Sequence, residues 1–482
     1  MIETTARRGG RPFGSAPAGL VLVALGVCAG AFPLRTAAQE ERDSIPGVTL
    51  GLVYETESRP ALAVMPFQAE PGLEDLAERV GAIVARDLRY SDRFEILDSL
   101  PQALAGTVDY QLWDQLGAVW LVTGRLEPDG DRVRLVLQLH DVVFGEIHEQ
   151  RRYPLLSEDH PDFRMSVHVA SDDVVESVTG DPGIAATRIA FSRRSLDGQT
   201  QDLFVIDSDG ENLRRLTRHN TISLGPDWSP DGTRLVYTSF RPSIEEGRWG
   251  IFEIDLRSGE EREIRPNRAG QLGTPVYTPD GRRLAFSVRG SGRTGIFTYD
   301  LARDCCLQHV TGGNWEDLSP TFSPDGRWMA FNSSRLGTAT PQIFVMPARG
   351  GEPDLVSPYL AGHRGYYTSP DWSPRGDLLA FHGRTGRFGR YQILVGDVSG
   401  EVGRLRRLTQ LTWEGNNEDP SWAPDGRHLV FIGRRDWGTG LMIVDSATGE
   451  IRMLLRGVDV RVPDWSPPLR PEPRETLREG GF

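Results

Sequence analysis

The sequence predicts an α/β amino-terminal domain followed by an all-β six-bladed propeller that the carboxy-terminal strand closes. Three observations carry this. First, one phrase recurs along the chain: Pro226-Asp227-Trp228-Ser229-Pro230-Asp231-Gly232 returns around Pro279, Pro324, Pro374 and Pro424, and ends truncated at Pro463-Asp464-Trp465-Ser466-Pro467. Its steps of 49, 45, 50, 50 and 43 residues are those of a repeat architecture. Second, each copy leads into an alternating strand, such as Leu235-Val236-Tyr237 or Leu429-Val430-Phe431, and two further strands follow, making four per period. Third, Arg188-Ile189-Ala190-Phe191 is a second strand with no first strand before it, while Asp464-Trp465 is a first strand with no second strand after it. Each half supplies what the other lacks, so the ends of the propeller should pair and close a ring of six without free edges.

The elements follow in order. Residues 1–38 read as an export signal: Arg7, Arg8 and Arg11 precede an apolar stretch from Ala18 to Ala31, and Thr36-Ala37-Ala38 fits cleavage before Gln39. Residues 39–47 form a polar linker. The α/β domain spans 48–182. Val48 to Tyr54 alternates weakly and reads as extended. Leu62 to Phe67 is a buried strand. Leu73, Leu76, Ala77, Val80, Val84 and Leu88 recur at helical spacing up to about Tyr90. Phe94 to Leu97 is a short strand and Tyr110 to Leu116 a short helix ended by Gly117. Val119 to Gly124 turns at Pro128-Asp129-Gly130 into Val133 to Leu137, a hairpin. Phe163, Val167, Val174 and Val178 predict a last helix stopped by Gly180. The propeller spans 187–467, and residues 468–482, rich in proline and arginine, form a disordered tail.

In each repeat Pro-Asp-Gly makes a tight turn, because proline presets φ, aspartate bonds back to the backbone and glycine accepts positive φ. This explains the repeated aspartates without invoking paired catalytic acids, and blade packing explains the aromatics. The formal charge of −13 argues against a nucleic-acid partner. All 54 basic residues are arginine, from which nothing functional follows. Cys305 and Cys306 are adjacent, and neighbouring cysteines are not expected to bond each other. Nucleophile elbow, zinc-protease, phosphate-loop and dinucleotide motifs are all absent from the sequence. His219, His363, His382 and His428 are the histidines a channel metal would recruit, but no pair has ligand spacing, so no metal or cofactor is expected.

Ala63-Val64-Met65-Pro66-Phe67 and Val84-Ala85-Arg86-Asp87-Leu88-Arg89-Tyr90-Ser91-Asp92-Arg93-Phe94 resemble the amino-terminal domain of the TolB family, the periplasmic propeller proteins of the Tol-Pal envelope system. Phe163-Arg164, His168, Asp172, Val178-Thr179-Gly180 and Thr187-Arg188-Ile189-Ala190 resemble that family's passage from domain to propeller. The resemblance runs from about Val48 to Pro467. It implies a periplasmic, non-enzymatic scaffold that contacts a Pal-like lipoprotein and a TolA-like inner-membrane protein. The competing readings are an exported propeller enzyme, a metal-dependent lyase or a peptidase relative, and a propeller of this architecture serving another envelope partner.

Two binding surfaces are expected. Arg193, Arg241, Arg289, Arg335, Arg384 and Arg434 each follow a second strand, once per blade. Strand direction puts them at the same mouth as the fourth-to-first-strand loops, which carry His219, Trp315, His363, Tyr366 and Glu418. Such a ring either clamps a partner's carboxylates or makes ion pairs within the blades. The second surface is the amino-terminal strand, Val48, Thr49, Leu50, Gly51 and Leu52, which corresponds in the resembled family to the TolA-binding segment.

Overall fold

The computed structural model describes residues 59–97, 108–241, 248–266, 270–290, 292–336, 340–359, 365–384, 389–400 and 405–470. The leader, the linker, Val48 to Leu52, His363 and the tail beyond 470 lie outside the described residues. No helix among the described residues is long and apolar enough to cross a membrane.

The first domain contains β1 (Ala61–Val64), β2 (Gln68–Ala69), α1 (Glu74–Tyr90), β3 (Glu95–Ile96), α2 (Tyr110–Gln115), β4 (Trp120–Asp129), β5 (Arg132–Asp141), β6 (Glu146–Leu155) and α3 (Phe163–Thr179). The sheet order is β3-β1-β4-β5-β6, parallel at β1 with β3 and β4, antiparallel beyond. Helix α1 buries the expected stripe, Leu76, Ala77, Val80, Val84 and Leu88, with Glu74 and Asp75 in its first turn and Arg89 in its last, as its dipole favours. Helix α3 stops at Gly180, whose φ of 74° lets the chain turn left-handed. One strand, β6, has no clear signal in the sequence. Its residues Glu149, Arg151, Tyr153 and Leu155 share one face, yet only the last two are buried in the core, and a bulge puts Ile147 on the other face.

Six four-stranded sheets follow, and the last pairs Val460–Trp465 with Arg188–Arg194, register Asp464 to Ala190 and Trp465 to Ile189. The closure expected from the two half-repeats is therefore formed. We number the closing sheet blade 1, and the sheets whose inner strands are Ser223–Trp228, Gln271–Tyr277, Asp317–Phe322, Tyr366–Trp372 and Asn416–Trp422 blades 2 to 6. The turn glycines 232, 281, 326, 376 and 426 all have φ between 63° and 83°, as the Pro-Asp-Gly turn requires. One expectation is corrected: Cys305 and Cys306 form a disulfide. Asp304, at the end of the turn between the third and fourth strands of blade 3, and Cys306, in the irregular start of the fourth strand, are both left-handed, and this backbone accommodates the pair.

The inner strands carry the most regular feature of the ring. Each bulges at one left-handed residue (Gly225, Thr274, Ser319, Ser369, Asp419 and Val462) just before its buried proline. Past the proline, a side chain of one blade accepts the main-chain N–H of the next blade's aromatic. Asp464 accepts from Trp228 at 2.7 Å, Asp227 from Tyr277 at 2.8 Å and Thr321 from Trp372 at 3.3 Å. Asp371 accepts from Trp422 at 2.7 Å and Ser421 from Trp465 at 3.1 Å. The sixth link is missing, because Val276 stands where it would be and offers Phe322 no acceptor. Together these residues line a central cavity of about 370 Å³. Burial pushes the three carboxyls there upward: Asp371 to about 6, Asp464 to about 7 with help from the charge of Asp371, and Asp227 well above its usual value with help from Asp464.

Two predictions follow from this ring. A carboxyl whose pKa is raised on folding keeps its proton in the folded protein after the unfolded chain has released its own. Its contribution is therefore full below pH ~4 and fades as pH climbs through ~7. Asp464→Asn keeps an acceptor for Trp228 but cannot ionise. In denaturant unfolding it should match the parent at pH 4 and exceed it on the order of 2 kcal/mol at pH 8; parallel pH profiles would contradict this. Val276→Thr supplies the missing acceptor and should raise stability by about 1 kcal/mol.

Candidate functional site

The arginines near the mouth do not share one register. Counted from the aromatic of each second strand (Phe191, Tyr237, Phe286, Phe331, Phe381 and Phe431), Arg193 is two residues on, Arg289, Arg384 and Arg434 three, and Arg241 and Arg335 four. Alternate residues of a strand face opposite sides, so these six side chains split into two sets. Arg241 and Arg335 turn back over their own blades. Arg241 donates to Glu261 at 2.8 Å and meets His219 Nδ1 at 3.1 Å, with its guanidinium 4.3 Å from the ring centre of Phe252. Arg335 donates to both oxygens of Asp317 at 3.1 Å and covers Phe344 and Phe331. Arg193 lies over Phe204. Arg384 lies over Tyr391 and Tyr366, which meet edge to face. Arg289 is exposed and reaches Glu316 only at 3.7 Å, and Arg434 is exposed. Trp315 and Trp413, in loops that enter first strands, are also exposed, and Glu418 is half-buried beside Tyr366.

The mouth is thus a rim of tryptophans and arginines set on blades that internal cation–π contacts and ion pairs stiffen. That composition suits a protein surface, since aromatic side chains and arginine carry most interface energy. Among the described residues, the three expected histidines do not converge. His219 is at the mouth on Glu261 at 2.8 Å, and His382 is buried where its Nδ1 accepts the Asp419 N–H at 3.0 Å. His428 lies at the opposite end of its strand, on the face that meets the first domain.

That opposite face is a second site, which the expectations above did not include. The first domain docks mainly on blades 6 and 1. His428 Nδ1 is 2.7 Å from Asp425, and its Nε2 is 3.1 Å from Asp92, which follows α1. Arg427 donates twice to buried Asp445, at 2.8 and 2.7 Å, and once to the Asp92 carbonyl. Arg375 of blade 5 reaches Asp181 at 2.9 Å, and Arg93 reaches it at 3.1 Å. Arg452 lies over Tyr90. On the blade 1 side, Arg164 pairs with Asp209, and Arg188 bridges Asp162 and Asp207. Burial disfavours charge on both His428 and Asp425, yet their mutual attraction wins, holding Asp425 near 2 and lifting His428 to about 9. His168 sits similarly, with Nδ1 2.8 Å from Asp87 and Nε2 4.0 Å from Asp209.

Two of these clusters, Asp87 with His168 and Asp209 and Asp92 with His428 and Asp445, bring three donor atoms together in the manner of a metal site. Arginines already hold Asp209 and Asp445, so both read as ionic joints between domains.

The sequence held a signal for this joint, in departures from the repeat. Blades 2, 3 and 4 cap the turn aspartate with Ser229, Thr278 and Ser323, each at 2.6 Å. Blade 6 has Ala423 in that place, which frees Asp425 for His428. Blade 5 has Arg375 where blades 2, 3, 4 and 6 have aspartate. The repeat is broken where the first domain lies against it.

A paired substitution tests this. Arg327 and Arg427 occupy the same turn position in blades 4 and 6. Arg427→Ala strands Asp445 and should lower stability by about 3–5 kcal/mol. Arg327→Ala removes only an exposed pair and should cost less than about 0.5 kcal/mol. Thermal unfolding of the two variants gives the comparison.

Family models match most of the chain: TolB beta propeller domain over residues 175–469 and TolB amino-terminal domain over residues 49–147. The chain is 37% identical over 210 residues to the Tol-Pal system protein TolB of Alkalilimnicola ehrlichii, covering 42% of this chain and 47% of that protein. It is 31% identical over 282 residues to the Protein TolB homolog of Chlorobium chlorochromatii, covering 57% of this chain and 61% of that protein. The chain thus spans between about half and three fifths of the length of these curated relatives. The crystal structure of TolB from Acinetobacter baumannii superposes with a TM-score of 0.71 at 24% identity, over 85% of this chain and 97% of that one, a likeness of fold.

Proposed function

The chain belongs to the TolB family, and from that premise we propose that it is a periplasmic, non-enzymatic scaffold of a Tol-Pal system, one that binds a Pal-like lipoprotein at the propeller mouth and a TolA-like protein through Val48 to Leu52, and so supports envelope integrity and cell division. The observation that carries the first half is the exposed rim of Trp315, Trp413, Arg289 and Arg434 on a rigid ring. A large flat aromatic beside a forked cation offers both burial and carboxylate recognition, and the supporting blades lose little entropy when a partner docks. Among the described residues of the mouth, none is arranged as a nucleophile and base, and His219 is engaged by Glu261 and Arg241. The second half of the reading rests on the family resemblance and the alternation of Val48, Leu50 and Leu52.

The test is capture of a purified Pal-like lipoprotein lacking its lipid. Trp413→Ala combined with Arg289→Glu should weaken binding at least tenfold, about 1.4 kcal/mol, while the unfolding temperature stays unchanged. Unaltered affinity in a folded variant would move the lipoprotein site away from this rim.

A further inference from the structure

The joint between the domains contains an imidazole whose two nitrogens both face carboxylates. Asp425 Oδ2 is 2.7 Å from Nδ1 of His428, and Asp92 Oδ2 is 3.1 Å from Nε2. An ionised carboxylate only accepts hydrogen bonds, whereas a neutral imidazole donates from one nitrogen and accepts at the other. The neutral ring would therefore set acceptor against acceptor at one of the two contacts, while His428 itself is fully buried. Both bonds require the imidazolium. One of them lies within blade 6 and the other crosses to the first domain, so the proton itself is part of the joint.

The other charges facing this ring do not substitute for it. Asp445 is held by Arg427. Arg93 is shared between Asp181 and Asp425, at 3.1 and 3.8 Å. Arg59 reaches Asp92 and Asp445 only at 3.9 and 3.8 Å. Arg452 acts on Asp92 from further out. A guanidinium is charged throughout the accessible pH range. His428 is not.

We propose that His428 is a proton-dependent latch between the first domain and blade 6, closed while the imidazole carries both protons and loosened when it loses one. The raised value of about 9 sets the range. Because the folded value lies above that of the unfolded chain, the latch's contribution is full below pH ~6.5 and is lost as pH rises through ~9. The joint is thus closed at neutral pH and opens under alkaline conditions, with blades 3 and 4, which hold neither such a histidine nor one of the raised carboxyls of the ring, as the reference.

Amide hydrogen exchange of the full chain, corrected for the intrinsic pH dependence of exchange, reads this directly. Between pH 7 and pH 10, protection of residues 88–96 and 424–430 should fall at least tenfold while the second strands of blades 3 and 4 keep theirs. His428→Gln should show low protection at the joint at every pH. Asp92→Asn, which keeps the shape of the contact and removes one carboxylate, should shift the midpoint to lower pH. The proposal is overturned if joint and blades lose protection in parallel, or if Asp92→Asn leaves the midpoint in place. The second variant decides the matter even where His428→Gln does not fold.

Discussion

One carboxyl holds three blades. Asp464, on the strand that closes the ring, accepts the Trp228 N–H of blade 2 and the Ser421 hydroxyl of blade 6, while its own strand completes blade 1. A propeller joins its first and last repeats without a covalent link, so the seam has to be fastened by contacts that only those residues can make. Here the fastening is polar, buried and part of a series that runs around the cavity. The cost of burying a carboxyl is limited by its remaining protonated, as the upward shift of Asp464 indicates. The apolar clusters, each spanning two neighbouring blades, then add to a ring already in register.

Much of this was legible in the sequence because the repeat obeys local chemistry. Pro-Asp-Gly specifies a turn wherever it occurs, and two half-repeats at opposite ends of the chain leave one way to close. The mouth was less legible. Counting one arginine per blade treats positions two, three and four past an aromatic as equal, yet strand parity sends them to opposite faces, and Arg241 and Arg335 turn onto Phe252 and Phe344. β6 was hidden because only Tyr153 and Leu155 of that strand are buried. The joint was hidden for a different reason. Its residues look like imperfect copies of a motif, and their meaning lies in what they contact across the domain boundary, as Ala423 and Arg375 show. The stretch from Val48 to Leu52 and His363 lie outside the described residues, and their roles rest on the sequence alone.

The two sites occupy opposite ends of the strands. The rim with Trp315 and Trp413 lies at the mouth, while His428, Arg427 and Arg375 lie on the face bearing the Pro-Asp-Gly turns. A partner at the rim and the first domain at the joint therefore do not compete for the same surface. What separates them is the inner-strand layer itself, with its left-handed residues, prolines and linked side chains. Val462, a β-branched residue at φ 44°, is strained there, and strain of this kind persists only where the surrounding structure over-determines it.

The most direct measurement of that layer is exchange of the Trp228 amide proton in Asp464→Ala. Removing the carboxyl takes away the acceptor from the seam and leaves the bond that the Tyr277 N–H donates to Asp227 untouched. The account predicts that Trp228 exchanges much faster in the variant while Tyr277 keeps its protection. Equal protection of Trp228 with and without the carboxyl would mean that the ring is held shut by apolar packing alone, and would contradict the account.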